Sequence, residues 1–332
     1  MFDKIIFLPK VGISAQNELT EFIQKWFDSQ ETIALKTSGS TGPPKVIYLE
    51  KKYMKASALA TGDYFSFQKE HAILLNLSVN YIAGMMQVVR AIVYDMTLIV
   101  GTINSNPLLE NIPYDLHFAA FVPFQVSTIL GSKKSREVYE KINHVIIGGA
   151  PIQKELQDKL EKLKNTNFAT FGMSETISHI ALKQIQKEKT SFKALPGVTF
   201  AVTPENCLVI SAAHLAINKL VTNDVVSLID QFSFDWKGRK DFVINTGGVK
   251  VHPELVEGKI DDFLNGRRYY ITKAFHSEFG EQIVLKIEGE PTLDQQVLSG
   301  KLQEVLHPYE MPKIIEFILQ FEETATGKII RK

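Results

Sequence analysis

Short runs of consecutive apolar residues alternate with amphipathic stretches through the first half of the chain. Thr32–Leu35 and Val46–Leu49 lean towards β structure and flank a polar segment. The spacing predicts a helix over 50–69 with Met54, Ala58 and Leu59 on its inner face, followed by a fully buried strand over Ala72–Leu77. A second helix over Gly84–Tyr94 leads to an apolar strand at Thr97–Val100, and Phe121–Leu130 leads through a charged turn to Ile142–Ile147. The clearest helix covers 153–164, with Leu156, Leu160 and Leu163 in line. Gly148-Gly149-Ala150-Pro151 precedes it and Asn165 ends it. Short buried strands joined by amphipathic helices predict a layered α/β fold with a parallel or mixed sheet, whose ligands bind at the carboxyl ends of the strands.

From about residue 178 the pattern changes to closely spaced β-like runs: His179–Leu182, Val198–Val202, Leu208–Ile210 and Val225–Ile229. These predict a smaller antiparallel β-rich subdomain. Beyond Asp241 a separate α+β pattern begins. Pro253 opens a helix through Leu264 with Val256, Ile260 and Phe263 inward; strands follow at 269–275 and 282–287, then a helix with Leu298, Leu302 and Val305 inward, then a strand over Lys313–Leu319. The expected division is a large domain over 1–240 and a small one over 241–332.

Composition narrows the class. The 332 residues carry 37 Lys+Arg and 37 Asp+Glu, so no charge excess argues for nucleic acid or an anionic membrane as partner. With 45% hydrophobic and 10% aromatic residues the chain reads as globular. The single cysteine, Cys207, sits among apolar neighbours and reads as packing rather than as a nucleophile. The apolar core of the first ten residues is too short for a signal peptide, and Arg90 and Asp95 interrupt the longest apolar stretch, Ile82–Val100. The expectation is a soluble cytoplasmic protein with no membrane span.

Chemistry collects in loops. Between the two β-leaning runs lies Lys-Thr-Ser-Gly-Ser-Thr-Gly-Pro-Pro-Lys, residues 36–45. Gly39 and Gly42 permit φ > 0, Thr37, Ser38, Ser40 and Thr41 offer hydroxyl donors, and Lys45 adds a compact cation, so the segment suits a phosphate; an ordinary polar turn is the alternative. A P-loop is excluded, because Pro44 precedes Lys45 and a β run, not a helix, follows. Gly148-Gly149-Ala150 ends one buried strand and Phe171-Gly172-Met173-Ser174-Glu175-Thr176 the next; two such neighbouring strand ends suit a ligand crevice, while each alone reads as a strand-to-helix turn. Thr222-Asn223-Asp224 reads as a turn with a carboxylate. Gly238-Arg239-Lys240-Asp241, Asn245-Thr246-Gly247-Gly248 and Thr326-Gly327-Lys328 complete the series.

In this order the clusters resemble the adenylate-forming superfamily of acyl- and aryl-CoA synthetases, nonribosomal-peptide adenylation domains and firefly luciferase, over residues 32–332. The resemblance implies ATP, Mg²⁺ and coenzyme A as ligands and a small-molecule carboxylic acid as substrate. Thr37–Lys45 would steady the β- and γ-phosphates. Gly148, Gly149 and Ala150 would leave room for adenine, and Phe171, Gly172, Met173, Ser174 and Thr176 would line its side. Glu175 would hold Mg²⁺, and Asp224, with Arg239, would bind the ribose. Lys328 would reach the bridging oxygens from the small domain. Asp241 would be the hinge about which that domain turns for a thiol to attack the acyl-adenylate, with Gly247-Gly248 lining the thiol's path.

The chain departs from the family pattern in places. Only 36 residues precede Thr37, where most members have a region several times longer, so the large domain reads as truncated at its N-terminus: a short natural form, or one completed by something else. Val46 stands where a glycine commonly follows the loop lysine, and Tyr81 where many members carry a histidine beside the acyl substrate, near Gly84. Tyr81 could cover an aromatic acid or simply pack. The Asn80–Gly84 segment and compact length look most like the o-succinylbenzoate–CoA ligase branch of menaquinone biosynthesis. Arg90, Lys183 and His179 are candidates to meet the second carboxylate of such an acid. Ligation of another aryl or fatty acid, loading of a separate carrier protein, and non-catalytic nucleotide binding are the competing expectations. A homodimer is one option for the assembly.

Overall fold

The computed structural model describes residues 2–36, 46–110, 112–264, 266–278, 280–291, 295–323 and 329–331. In chain order the first elements are β1 (Ile5–Phe7), α1 (Ile13–Phe27), β2 (Thr32–Lys36), β3 (Val46–Glu50), α2 (Lys51–Phe65), β4 (Ala72–Leu75), α3 (Ile82–Val93) and β5 (Thr97–Val100). They are followed by β6 (Leu116–Phe121), α4 (Pro123–Leu130), α5 (Lys133–Tyr139), β7 (His144–Ile147), α6 (Lys154–Leu160) and β8 (Thr166–Gly172). Strands β1, β5, β4, β6, β7 and β8 lie side by side and parallel. β4 is buried along its whole length, as a parallel strand covered on both faces must be.

The β-rich stretch comprises β9 (His179–Gln184), β10 (Phe192–Ala194), β11 (Val198–Val202), β12 (Cys207–Ala212), β13 (Ile217–Asp230) and β14 (Ser233–Arg239). It is antiparallel, as expected, and is hydrogen-bonded to β8 through β9, so that among the described residues one sheet of twelve strands runs from β1 to β11. Cys207 is buried and forms no disulfide. The last part holds β15 (Ile244–Thr246), β16 (Val249–Val251), α7 (Pro253–Ile260), β17 (Tyr269–His276), β18 (Gly280–Glu288), α8 (Gln295–Val305) and β19 (Ile314–Ile318). These strands form their own sheet, in which β19 pairs parallel to β18.

Two apolar cores follow the two sheets. One runs from Leu8 to Phe234 and the other from Ile244 to Leu306. Between them, the Glu254 carboxylate accepts the Arg239 N–H at 3.2 Å, and the Asp261 carboxylate accepts the Lys154 N–H at 2.8 Å. Among the described residues no helix is long and apolar enough to cross a membrane.

Several local expectations need correction. The charged turn after Leu130 contains the helix α5, which buries only Ser135 and Tyr139. Leu59 is exposed while Met54 and Ala58 are buried, and α2 ends at Phe65, where Ser66 takes a left-handed cap. Val305 is exposed and Leu306 takes the inward place. Thr222-Asn223-Asp224 is not a turn: it lies within the long strand β13.

Three histidines gather at the amino ends of the parallel strands, opposite the carboxyl ends of those strands. His71 and His117 stack with centroids 3.5 Å apart, and His144 meets His117 edge-on at 5.1 Å. His117 Nε2 lies 3.1 Å from the Phe65 carbonyl and its Nδ1 3.4 Å from the Asn143 amide, contacts that suit the neutral ring with the proton on Nε2. Burial, then neighbouring histidines, hold His117 and His144 below the ordinary histidine value. The unfolded chain therefore takes up protons first as pH falls. The contribution to stability is whole above about pH 6.5 and is lost below it. Thermal unfolding followed across this range should show the melting temperature falling on acidification, with a shallower fall in His117→Gln. An equal slope in both proteins would contradict this origin.

Candidate active site

The carboxyl ends of β7 and β8 are adjacent because the strands pair in parallel, Ile147 opposite Ala169. Gly148 follows directly, and a Cβ there would lie 2.2 Å from Thr170 Oγ1, so only glycine lets the two strand ends approach. Gly149 has φ +87° and is exposed with Ala150. At the end of β8 the chain makes a 3₁₀ turn, Ser174–Thr176, which presents the exposed carboxylate of Glu175. Thr176 is fully buried and its Oγ1 accepts the Met173 N–H at 2.9 Å and contacts the Ser178 carbonyl at 2.8 Å, so its hydroxyl shapes the turn from beneath. The Phe171 ring packs edge-on against Phe192 and Phe234.

A second group lies further along the sheet. β13 and β14 pair Asp224 with Arg239. Asp224 is 6% exposed; Trp236 Nε1–H donates to its Oδ1 at 2.9 Å, and Arg239 Nη1 stands 3.9 Å from its Oδ2. Burial pushes the Asp224 carboxyl above the usual carboxylate range, against the pull of the indole and the guanidinium. Arg239 Nη2 donates to Asp241 Oδ2 at 2.9 Å, and the Asn223 amide lies 3.3 Å from Asp241 Oδ1. Asp241 sits in the 3₁₀ turn Lys240–Phe242, where the main sheet gives way to the second. Beyond it, Gly247 and Gly248 join β15 to β16, both with positive φ as a two-residue hairpin turn of type I′ requires.

Gly238 has φ +139°, and a Cβ there would fall 2.2 Å from Glu254 Oε2. The glycine is what lets Glu254 reach the Arg239 N–H.

Tyr81 is 44% exposed at the start of α3. Gly84 is buried where a Cβ would lie 2.2 Å from the Ser78 carbonyl oxygen, so this position serves a close backbone crossing. Of the three cation candidates, Arg90 and His179 both meet Ser178, and Lys183 packs elsewhere. Arg90 is fully buried and bonded to Gln87 and Ser178; His179 is buried beside Thr61; Lys183 lies with Nζ 5.4 Å from the Phe192 ring centroid. Thr37, Ser38, Gly39, Ser40, Thr41, Gly42, Lys45 and Lys328 lie outside the described residues. Their flanks are defined: Lys36 pairs with Val46 at the end of the β2–β3 hairpin, and Glu323 bridges Ile329.

Sequence reasoning missed Trp236 and Glu254, and gave Asn223 no role of its own. Trp236 carried a signal, since it falls two residues before Gly238 in a strand facing Asp224. Glu254 is a helix-start residue whose partner is distant in sequence.

A model of AMP-binding enzymes matches residues 24–209. The 2-succinylbenzoate–CoA ligase of Lactococcus lactis is 24% identical over 331 residues, covering 92% of this chain and 71% of that protein. A crystal structure of an acyl-CoA synthetase (AMP-forming)/AMP-acid ligase II-like protein from Dyadobacter fermentans is 32% identical, with a TM-score of 0.67, and the match covers 97% of this chain and 94% of that one. The o-succinylbenzoate CoA synthetase of Bacillus subtilis, solved with its acyl-adenylate intermediate, shares the fold with a TM-score of 0.77 at 17% identity, over 90% of this chain and 67% of that one.

Proposed function

The chain belongs to the AMP-binding enzyme family, and from that premise we propose that it is an AMP-forming acid–CoA ligase acting on an aromatic keto-acid such as o-succinylbenzoate. The observation that carries the reading is the buried Asp224 carboxylate, held by Trp236 on one oxygen and facing Arg239, next to Asp241 at the passage between the two sheets. A carboxylate fixed on one oxygen presents the other as an acceptor for ribose hydroxyls. The relatives named for 2-succinylbenzoate support the choice of acid.

In the first half-reaction the substrate carboxylate attacks the α-phosphate of ATP, forming the acyl-adenylate and releasing pyrophosphate. Neutralising the phosphates is the main task. Residues 37–45 hold the β- and γ-phosphates, Gly148, Gly149 and Ala150 with Gly172, Met173 and Ser174 border the adenine, and Lys328 meets the bridging oxygens. Among the described residues no three His, Cys, Asp or Glu side chains gather as a self-sufficient metal site. A single exposed carboxylate, Glu175, fits Mg²⁺, which draws most of its other ligands from water and substrate phosphates. Held there, Mg²⁺ would supply charge neutralisation to the phosphate oxygens. In the second half-reaction residues 241–332 turn about Asp241 as a mobile domain, and the CoA thiol displaces AMP along a path lined by Gly247 and Gly248.

The test is ATP-dependent pyrophosphate release with a panel of aryl and fatty acids, with and without CoA. Release with o-succinylbenzoate and thioester formation only when CoA is added is the expected result. Release with a different acid moves the specificity, transfer only to a carrier protein moves the acceptor, and no release with any acid refutes the ligase reading.

A further inference from the structure

Beneath the Glu175 turn runs a chain of buried and half-buried polar groups that the reaction does not itself require. Gln87 Nε2 donates to the Leu74 carbonyl at 3.0 Å, and Gln87 Oε1 accepts from Arg90 Nη1 at 2.9 Å. Arg90 Nη2 donates to Ser178 Oγ at 2.8 Å. Ser178 Oγ lies 3.3 Å from His179 Nδ1, His179 Nε2 lies 3.4 Å from Thr61 Oγ1, and Thr61 Oγ1 donates to the Ser57 carbonyl at 3.1 Å. The donors align in one sense when His179 is neutral with its proton on Nε2, and burial followed by the Arg90 charge holds its pKa well below the ordinary value.

Arg90 is the unusual member. Among the described residues no carboxylate pairs with it, and its Nε has no hydrogen-bond partner. A buried, unpaired guanidinium is a costly group to keep for packing alone.

What it grips is also unusual. Ser178 follows Ile177, whose φ of 64° and ψ of −48° are rarely adopted by a β-branched residue. The Ser178 N–H donates to the Thr176 carbonyl at 2.7 Å, which closes a γ-turn of the strained, non-inverse kind. This turn immediately follows the 3₁₀ turn that carries Glu175. On the other side of it, a Cβ at Gly172 would lie 2.4 Å from the Ser178 carbonyl oxygen, so the start of β9 is pressed against the end of β8.

We propose that Arg90 is a positioning residue: by holding Ser178 it keeps Ile177 in its strained γ-turn and so fixes the Glu175 carboxylate towards the metal-bound phosphates. The inference rests on the reading of Glu175 given above. It does not make Arg90 a substrate contact.

The test compares wild type, Arg90→Met, Ile177→Gly and the double variant. Met fills a similar volume without the charge; the cost of the buried cation is removed and Gln87 Oε1 loses its donor, so Arg90→Met should melt close to wild type. Its turn should relax to negative φ at Ile177, lowering pyrophosphate release about 10- to 100-fold and shrinking the thermal shift that Mg-ATP gives over ATP alone. Glycine adopts positive φ freely, so adding Ile177→Gly should restore most of the activity and of the Mg-ATP shift. The same substitution empties a buried side-chain site and should lower the melting temperature. Opposite movements of stability and activity are the signature of positioning. Wild-type activity and Mg-ATP shift in Arg90→Met, or a double variant no better than Arg90→Met, would overturn the proposal. Absence of pyrophosphate release from wild type would instead refute the functional reading on which it rests.

Discussion

Lys328→Ala is expected to lower acyl-adenylate formation about 10²- to 10³-fold while leaving thioester formation from a preformed acyl-adenylate near the wild-type rate. The difference arises because the lysine's charge is needed only while pyrophosphate leaves. The described residues on either side of the lysine are bonded to one another. Glu323 bridges Ile329, and the Ile330 N–H donates to the Glu322 carbonyl at 2.8 Å. Arg331 then forks onto Glu257 of α7 with two contacts of 2.8 Å, and its guanidinium lies 5.1 Å from the Phe242 ring centroid, one residue beyond the proposed hinge. Arg331, three residues further along the chain, is thereby tied to α7 and to the turn at Asp241. Pyrophosphate release and thioester formation, measured separately, decide the matter: equal loss in both would mean that the lysine serves the fold or the shared substrate and not one step.

The alternation of buried strand and amphipathic helix was legible because parallel strands are apolar on both faces, as at Ala72–Leu75 and Val145–Ile147. Helix α5 was not, because it carries charges on most of its length and buries only Ser135 and Tyr139, leaving no apolar period to detect. Val305 and Leu306 are both apolar neighbours at a helix end, where the last turn decides which points inward. The loop glycines announced the strand ends of the candidate site, and Gly148 and Gly172 do stand where a side chain would collide. Asp224 was readable as a carboxylate of interest, yet its place within β13 was hidden by Thr222 and Asn223, which are carried in the strand by the pairing of Val221 and Val225 with β12 and of Asp224 onward with β14. The polar chain from Gln87 to Ser57 was out of reach. Its bonded partners lie up to 118 residues apart, and nothing in the local pattern of α3 says that its arginine faces inward without a carboxylate.

Asp241→Pro should spare pyrophosphate release and reduce CoA-thioester formation by roughly 100-fold or more, an effect of the size expected when the catalytic groups are misplaced. In the present arrangement Asp241 is 45% exposed and tied to Arg239 and Asn223, while the Glu254 and Asp261 carboxylates hold backbone N–H groups of the main sheet's elements. The rotation proposed for residues 241–332 would release these contacts and turn the backbone at the 3₁₀ turn Lys240–Phe242. Proline fixes its own φ near −65° and drives the preceding lysine towards extended backbone, which removes the rotation. Asp241→Ala separates the two explanations, because it deletes the contacts with Arg239 and Asn223 but leaves the backbone free, and it should retain most of the thioester activity. If Asp241→Ala were as defective as Asp241→Pro, the carboxylate itself would be the essential feature. If the proline variant lost both half-reactions equally, the hinge would lie elsewhere.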